Sequence, residues 1–394
     1  MSWTTVPLGE VLAPIQTWNP RRAPGSDTFD YIDLSSVDRD EKVIIAPTPT
    51  IPSEAPSRAR QVVNSGDILV STVRPNLNAV AVVDDELEGA TASTGFSVLR
   101  PVADKVASRY IYHWVRTPSF VADMVRKATG ASYPAVSDKI VAESFIPLPP
   151  LDEQRRIAGI LDAADALRRR RREALALLDT LPGAIFAEMF GGLRGVAGEN
   201  NIRIVELASV AEINPRMPRG LPNDMEVAFL PMAAVSVDGL IYYQEHRTVS
   251  QVRKGYTYFQ RGDLLLAKIT PCFENGKAAK TDDLETEHGF GTTEFHVVRT
   301  NPGELLPDYA FHLIWNPTFR KDGASNMTGS AGQKRLPVDY LKRMRIPLPS
   351  LGDQQSFVDR VRKLKNQRDD YSRQLAELDT LFASLQSRAF AGEL

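Results

Sequence analysis

The chain repeats itself, and a repeat of this length limits the possible folds more than any local pattern does. Ile146-Pro147-Leu148-Pro149-Pro150-Leu151-Asp152-Glu153-Gln154 stands 200 residues before Ile346-Pro347-Leu348-Pro349-Ser350-Leu351-Gly352-Asp353-Gln354, and six of the nine positions are identical. The same offset carries Asp179-Thr180-Leu181 onto Asp379-Thr380-Leu381 and Phe190 onto Phe390. Upstream the offset narrows, as small loop insertions require. Val6, Leu8 and Val11 fall on Val205, Leu207 and Val210; Gly66-Asp67-Ile68-Leu69 falls on Gly262-Asp263-Leu264-Leu265. Phe96, Tyr110, His113 and Pro118 match Phe295, Tyr309, His312 and Pro317. An ordered series of this kind is a tandem duplication, so the 394 residues should form two similar halves.

Each half has the same internal order. Short apolar runs bounded by turn residues, such as those after Asp67 and Asp263, read as strands. A helix is expected near Ser108–Lys127 and near Pro307–Lys321. The prolines of the Ile-Pro-Leu-Pro segments then enforce an extended connection, and a long charged stretch follows. In its second copy Val361, Leu364, Arg368, Tyr371, Leu375, Leu378, Phe382, Leu385 and Ala389 alternate three and four apart, a heptad-like seam. The first copy has a poorer seam through Leu161, Ala164, Arg168, Arg171, Leu175, Leu178, Pro182, Ile185 and Met189, with Pro182-Gly183 expected to break or kink it. Asp152 and Asp353 are candidate N-caps. Either stretch alone fits a solvated helix on its own domain; two at the same repeat position favour mutual pairing.

The expectation is an α+β protein with a pseudo-two-fold internal repeat. Mixed-sheet domains occupy 1–150 and 191–350, and a pair of antiparallel coiled-coil helices occupies 151–190 and 351–394. About 30 helical residues span on the order of 45 Å. Equivalent groove faces of duplex DNA recur about every 34 Å, so two similar heads on such a rod suit a divided DNA target.

Composition narrows the classes further. A net charge of −2 and a pI near 6.3 argue against indiscriminate coating of nucleic acid, while leaving room for local basic loops. The N-terminus lacks a basic segment followed by an apolar run, and no stretch approaches the length of a membrane span. Cys272 is the only cysteine, which excludes an intrachain disulfide and a cysteine-rich zinc site. A cytoplasmic protein is expected.

The order of globule, Ile-Pro-Leu-Pro-Pro-Leu-Asp-Glu-Gln-Arg-Arg-Ile (146–157), helix, globule, helix resembles the specificity subunits of type I restriction-modification enzymes over nearly the full chain. Residues 66–78, 262–277 and 328–336 resemble the same family, with Thr129-Gly130-Ala131-Ser132-Tyr133-Pro134 as the counterpart of the last. The resemblance implies two target-recognition domains, each reading one part of a bipartite, asymmetric site in double-stranded DNA. It implies two methyltransferase subunits beside the helices and motor-nuclease subunits for cleavage. S-adenosylmethionine, ATP and Mg would belong to those partners, leaving this chain with no cofactor.

Candidate contacts follow from residue chemistry. Ser71, Arg74, Asn76 and Asn78 end and follow a strand in the first half; arginine bonds guanine and asparagine bonds adenine in the major groove. The alternative is a loop in which asparagines satisfy local backbone groups. Lys268, Thr270, Asn275 and Lys277 occupy the matching segment of the second half, with the lysines suited to phosphate. Gln333, Lys334 and Arg335 lie in a glycine-containing loop read as a DNA contact, with Ser132 and Tyr133 as its less basic counterpart. Arg168 to Arg172 distribute around all faces of a helix, which suits ion pairing and stem packing; contact with spacer phosphates or a methyltransferase is the alternative.

Enzymatic readings fare badly. There is no phosphate-binding Gly-x-x-x-x-Gly-Lys-Ser/Thr loop and no Gly-x-Gly-x-x-Gly turn. Asn-Pro occurs four times without the Pro-aromatic continuation of amino-methyltransferases. The five histidines lack metal-ligand spacing, and His113 and His312 read as structural. Asp40-Glu41-Lys42 is a short nuclease-like match of low specificity. A scaffold of two protein-binding modules on coiled coils is the rival to DNA recognition, and a stand-alone nuclease the more distant one.

Overall fold

A computed structural model describes residues 3–22, 27–191, 202–330 and 332–394. The chain divides into two compact units, Met1–Ala174 with Tyr371–Leu394, and Leu175–Asp370. In the first unit Ile68–Ser71 forms a strand because an apolar run follows a tight turn at Gly66, where φ is +82°. All four of its residues are buried, so it lacks the alternation of a half-exposed strand. It lies in a four-stranded antiparallel sheet of order Leu12–Ala13, Phe96–Pro101, Ile68–Ser71, Val80–Val82. A second sheet has the order Thr48–Thr50, Phe29–Ile32, Thr91–Ser93, Ala59–Val62, with a parallel pair in its centre.

The second unit repeats this plan. Ala211–Ile213, Phe295–Thr300, Leu264–Ala267 and Ala278–Lys280 form one sheet; Glu245–Thr248, Glu226–Leu230, His288–Gly291 and Thr257–Gln260 form the other, again with one parallel pair. The Gly-Asp pair of the repeat has the same task in both. Asp67 accepts from Asn64 N–H (2.8 Å) and from the Arg100 guanidinium (2.7 Å), and Asp263 accepts from Gln260 N–H (2.8 Å) and Arg299 (2.7 Å). Each buried carboxylate is thereby compensated by a forked cation on the neighbouring strand.

Each expected mid-domain helix is two. Ser108–Trp114 is followed by Pro118–Lys127, and Pro307–Trp315 by Pro317–Ser325. Proline suits a first helical position and disfavours helix in the residue before it. That residue caps the second helix: Thr117 Oγ1 accepts from Phe120 N–H, and Asn316 Oδ1 from Thr318 N–H.

The long helices run Leu151–Phe190 and Leu351–Ala391. Two expectations are corrected here. Pro182 does not end its helix, which continues to Phe190. In the second unit Phe186 and Phe190 are buried against Tyr309 and Phe357, and this packing offsets a cost of about 3 kcal/mol for an interior proline. Asp152 and Asp353 are not N-caps, because each helix begins one or two residues before them; at the second, Ser350 Oγ accepts from Asp353 N–H. Their carboxylates lie in the first turn, where the helix dipole favours them.

The repeated Gln fastens each long helix to its sheet unit. Gln154 is fully buried; its Oε1 accepts from Ala107 N–H (2.9 Å), and its Nε2 donates to the carbonyls of Pro149 (2.8 Å) and Lys105 (3.2 Å). Gln354 repeats the pattern with Leu306 N–H (2.9 Å), Pro349 (3.0 Å) and Glu304 (2.8 Å). The hydroxyls of Tyr110 and Tyr309 donate to the carbonyls of Pro147 and Pro347.

Segments of the two long helices pack together within each unit. In the first, Leu161 and Ala164 share a core with Phe382 and Ala389, and Arg168 bonds Asp379 at 2.6 Å. In the second, Phe186 and Phe190 share a core with Phe357 and Val361, and Arg368 bonds Asp179 at 2.6 Å. Among the described residues no helix is long and apolar enough to cross a membrane.

Candidate nucleic-acid interface

In the first unit two loops meet beyond the strand Ile68–Ser71. Val136 N–H donates to Thr72 O (2.9 Å) and Arg74 N–H to Pro134 O (2.7 Å), which pins residues 72–78 against residues 129–135. The second loop closes through paired backbone bonds between Thr129 and Ala135. Gly130 permits that closure: its φ is +103°, and a Cβ there would stand 3.0 Å from Tyr133 O.

The sequence candidates of this half divide into two groups. Arg74, Asn76, Ser132 and Tyr133 are exposed, Tyr133 by 68% of its surface. The Arg74 guanidinium stands 4.8 Å from the centre of the Tyr133 ring. Ser71 and Asn78 do not face solvent in this way. Ser71 is buried and donates its hydroxyl to Val73 O (2.8 Å). Asn78 is half-buried, donates to Val115 O (3.0 Å) and accepts the Lys42 ammonium on its own carbonyl. These two shape the loop from within.

The second unit builds the same pair of loops. Leu336 N–H donates to Lys268 O (2.8 Å) and Thr270 N–H to Lys334 O (3.0 Å), the counterparts of the two pinning bonds above. Gly329, at φ +126°, matches Gly130, and a Cβ there would stand 2.9 Å from Gln333 O. Asn275, Gln333 and Lys334 are exposed. The other candidates hold partners within the unit. Thr270 donates to Glu274 (2.8 Å), Lys277 to Met232 O (3.2 Å), and Arg335 forks onto Glu294 at 2.8 and 2.9 Å. The Arg335 fork holds the Glu294 carboxyl below its ordinary range. Lys268 is half-buried, and burial pushes its ammonium down, against the pull of Glu294.

Sequence reasoning missed a cleft of about 340 Å³ beside Lys268, walled by Met217, Tyr256, Tyr258 and Phe290. In the first unit Thr91 occupies the sheet position of Phe290, and the Trp18 indole donates to its hydroxyl at 2.9 Å.

The remaining motifs carry structural partners. Arg168 bonds Asp165 and Asp379, Arg171 lies 3.9 Å from the Tyr371 ring centre, and Arg172 pairs with Glu41. Lys42 of the nuclease-like triplet is held by Asn78, and burial lowers its ammonium to about 8. His113 Nε2 contacts Asp162 at 2.7 Å; burial pushes its imidazole down. Burial likewise lowers His312 to about 4. Among the described residues no group of three or more His, Cys, Asp or Glu is placed to hold a metal ion.

Residues 43–176 match the family described as the type I restriction modification DNA specificity domain. The chain is 40% identical over 176 residues to the type I restriction enzyme EcoAI specificity subunit of Escherichia coli, covering 44% of this chain and 30% of that one. It is 40% identical over 200 residues to the EcoEI specificity subunit of the same species, covering 48% and 33%. The matched segments therefore span about a third of those relatives' own length. A solved structure concerned with assembly and conformational transition of the type I restriction-modification system aligns over 100% of this chain and 98% of its own, with 25% identity and a TM-score of 0.64. The S subunit from M. genitalium shares the fold at 11% identity and a TM-score of 0.56 over 99% and 96% of the two chains.

Proposed function

We propose that this chain is a specificity subunit of a type I restriction-modification system, a reading supported by its family match over residues 43–176 and by its relatives, and that it reads a bipartite DNA sequence, each unit contacting one part. One observation carries this reading: the same pair of pinned loops is built twice at the end of a central strand, and each copy presents a different set of base-reading side chains. Arginine, asparagine, glutamine and serine match base edges in the major groove, and lysine matches phosphate. Backbone contacts capture the duplex, and base edges then select the site.

The chain supplies recognition and the partners supply chemistry. Two methyltransferase subunits flip and methylate the target base, which is unreachable inside the stack. Motor-nuclease subunits cleave. S-adenosylmethionine, ATP and Mg act on those partners in the cytoplasm, and this chain takes no cofactor. Within this reading the recognition regions are 1–150 and 191–350, each followed by a long helical region, 151–190 and 351–394.

Co-expression with a type I methyltransferase partner, followed by genome-wide mapping of methylated bases, tests the proposal. A two-part motif with unread bases of fixed number is the expected result. An unmodified genome beside a demonstrably active methyltransferase overturns it.

A further inference from the structure

Arg74 is an exposed arginine held in a conformation that its own chemistry disfavours. Its φ and ψ are 50° and 62°, in the left-handed region that side chains other than Gly, Asn and Asp seldom enter. Pro75 follows it, and a residue before proline is ordinarily extended. The surrounding structure enforces this arrangement through Arg74 N–H to Pro134 O and Val136 N–H to Thr72 O. Backbone strain that persists under such constraint is a feature of ligand-contacting positions.

The side chain is also restrained. Its guanidinium lies over Tyr133, an aromatic residue that gains nothing from burial at 68% exposure. A ring in that position limits the rotamers of a long side chain and leaves the guanidinium edge free. A planar fork held in one orientation at the surface suits bidentate bonding to the O6 and N7 atoms of guanine. A phosphate contact needs no such restraint. The second unit has Thr270 at the pinned position, with its hydroxyl turned to Glu274.

We infer that Arg74 and Tyr133 form a guanine-reading pair: Arg74 bonds the base, and Tyr133 is the positioning residue that orients the fork. This rests on the DNA-reading proposal and assigns one guanine of the half-site read by the first unit.

The test uses the full chain co-expressed with its methyltransferase partner, with methylated motifs mapped for each variant and thermal melting as a folding control. Arg74→Lys keeps the charge and loses the fork. Discrimination should fall about 10- to 100-fold at a single guanine of one half-site, with every other position intact. Tyr133→Leu should relax that same guanine to a lesser extent, and Tyr133→Phe should leave the motif unchanged because the ring remains. A motif unaltered by Arg74→Lys and by Arg74→Ala overturns the assignment while leaving DNA reading in place. Relaxation of a different position by Tyr133→Leu overturns the pairing. Loss of any motif from the parent chain counts against the DNA-reading proposal itself.

Discussion

In the first unit the pinned loops offer Arg74 to solvent over an aromatic ring, whereas in the second the corresponding Thr270 turns inward to Glu274 and the loop arginine, Arg335, is forked onto Glu294. The frame that carries these residues is shared, with the same strand order, the same two inter-loop bonds and a glycine at the same turn, while the backbone at the pinned position differs: Arg74 is left-handed and the Thr270–Pro271 peptide is cis. Main-chain atoms set the frame and side chains set what it presents to solvent. Duplication supplied two copies of one strand-and-loop frame, and the copies differ in the side chains they carry and in the backbone at residues 74 and 270. The largest expected effects lie in what the two units share, and the smaller ones in what separates them.

Gln154→Ala and Gln354→Ala test the shared frame. Each takes the acceptor from one backbone N–H and the donors from two carbonyls, so each should destabilise its own unit by about 2–4 kcal/mol, and by similar amounts. Urea unfolding followed by hydrogen exchange in each unit would measure this. A loss confined to one variant would mean that the repeated glutamines do unequal jobs.

Acid should separate the units next. An imidazole takes its proton near 6.5 in the unfolded chain, while burial holds His312 to about 4 in the folded one. The unfolded state therefore binds more protons between these values. Stability is fully present above about 6.5 and declines as pH falls toward about 4, at most by ~1.4 kcal/mol per pH unit. His113 is also lowered by burial, but its bond to Asp162 raises it in part, so the first unit should respond less. Unfolding at pH 7, 5.5 and 4.5, with and without His312→Phe, checks this. An unchanged pH slope in the variant would refute the assignment.

The smallest effect concerns Arg335. Glu294→Gln releases it from its fork, and a freed cation beside DNA should steepen the salt dependence of binding by about 0.9 in the log–log slope. Gel-shift titration at several salt concentrations reads this directly, and an identical slope would show that Arg335 meets no phosphate.

Much of the fold is legible in the sequence. The Gly-Asp-Ile-Leu and Gly-Asp-Leu-Leu runs mark central strands because glycine sets the turn and an unbroken apolar run needs burial on both faces. The Thr117-Pro118 and Asn316-Pro317 pairs carried the signal for split helices, which apolar continuity masked. The site is only half legible. Arg74 and Tyr133 lie 59 residues apart in sequence, 133 less 74, and meet through tertiary bonds to which no periodicity points. Ser71 turns inward and Asn78 is drawn to Val115 by contacts outside its own segment. Arg335 is paired across 41 residues. Which charged side chain stays free is decided by the partner, not by the local pattern.

The buried glutamine at the start of each long helix marks a joint between that helix and the segment before it. Its three bonds go only to main-chain groups, so it recognises a chain path and ignores which residues line that path. A replacement for the segment ahead of Pro149 or Pro349 that keeps this path would offer its own N–H and carbonyl to the same amide, beside side-chain partners such as Arg109 and Arg116 for Asp162 and Asp165. On the proposed reading, exchange at these two joints would change the target while the long helices keep their own sequence.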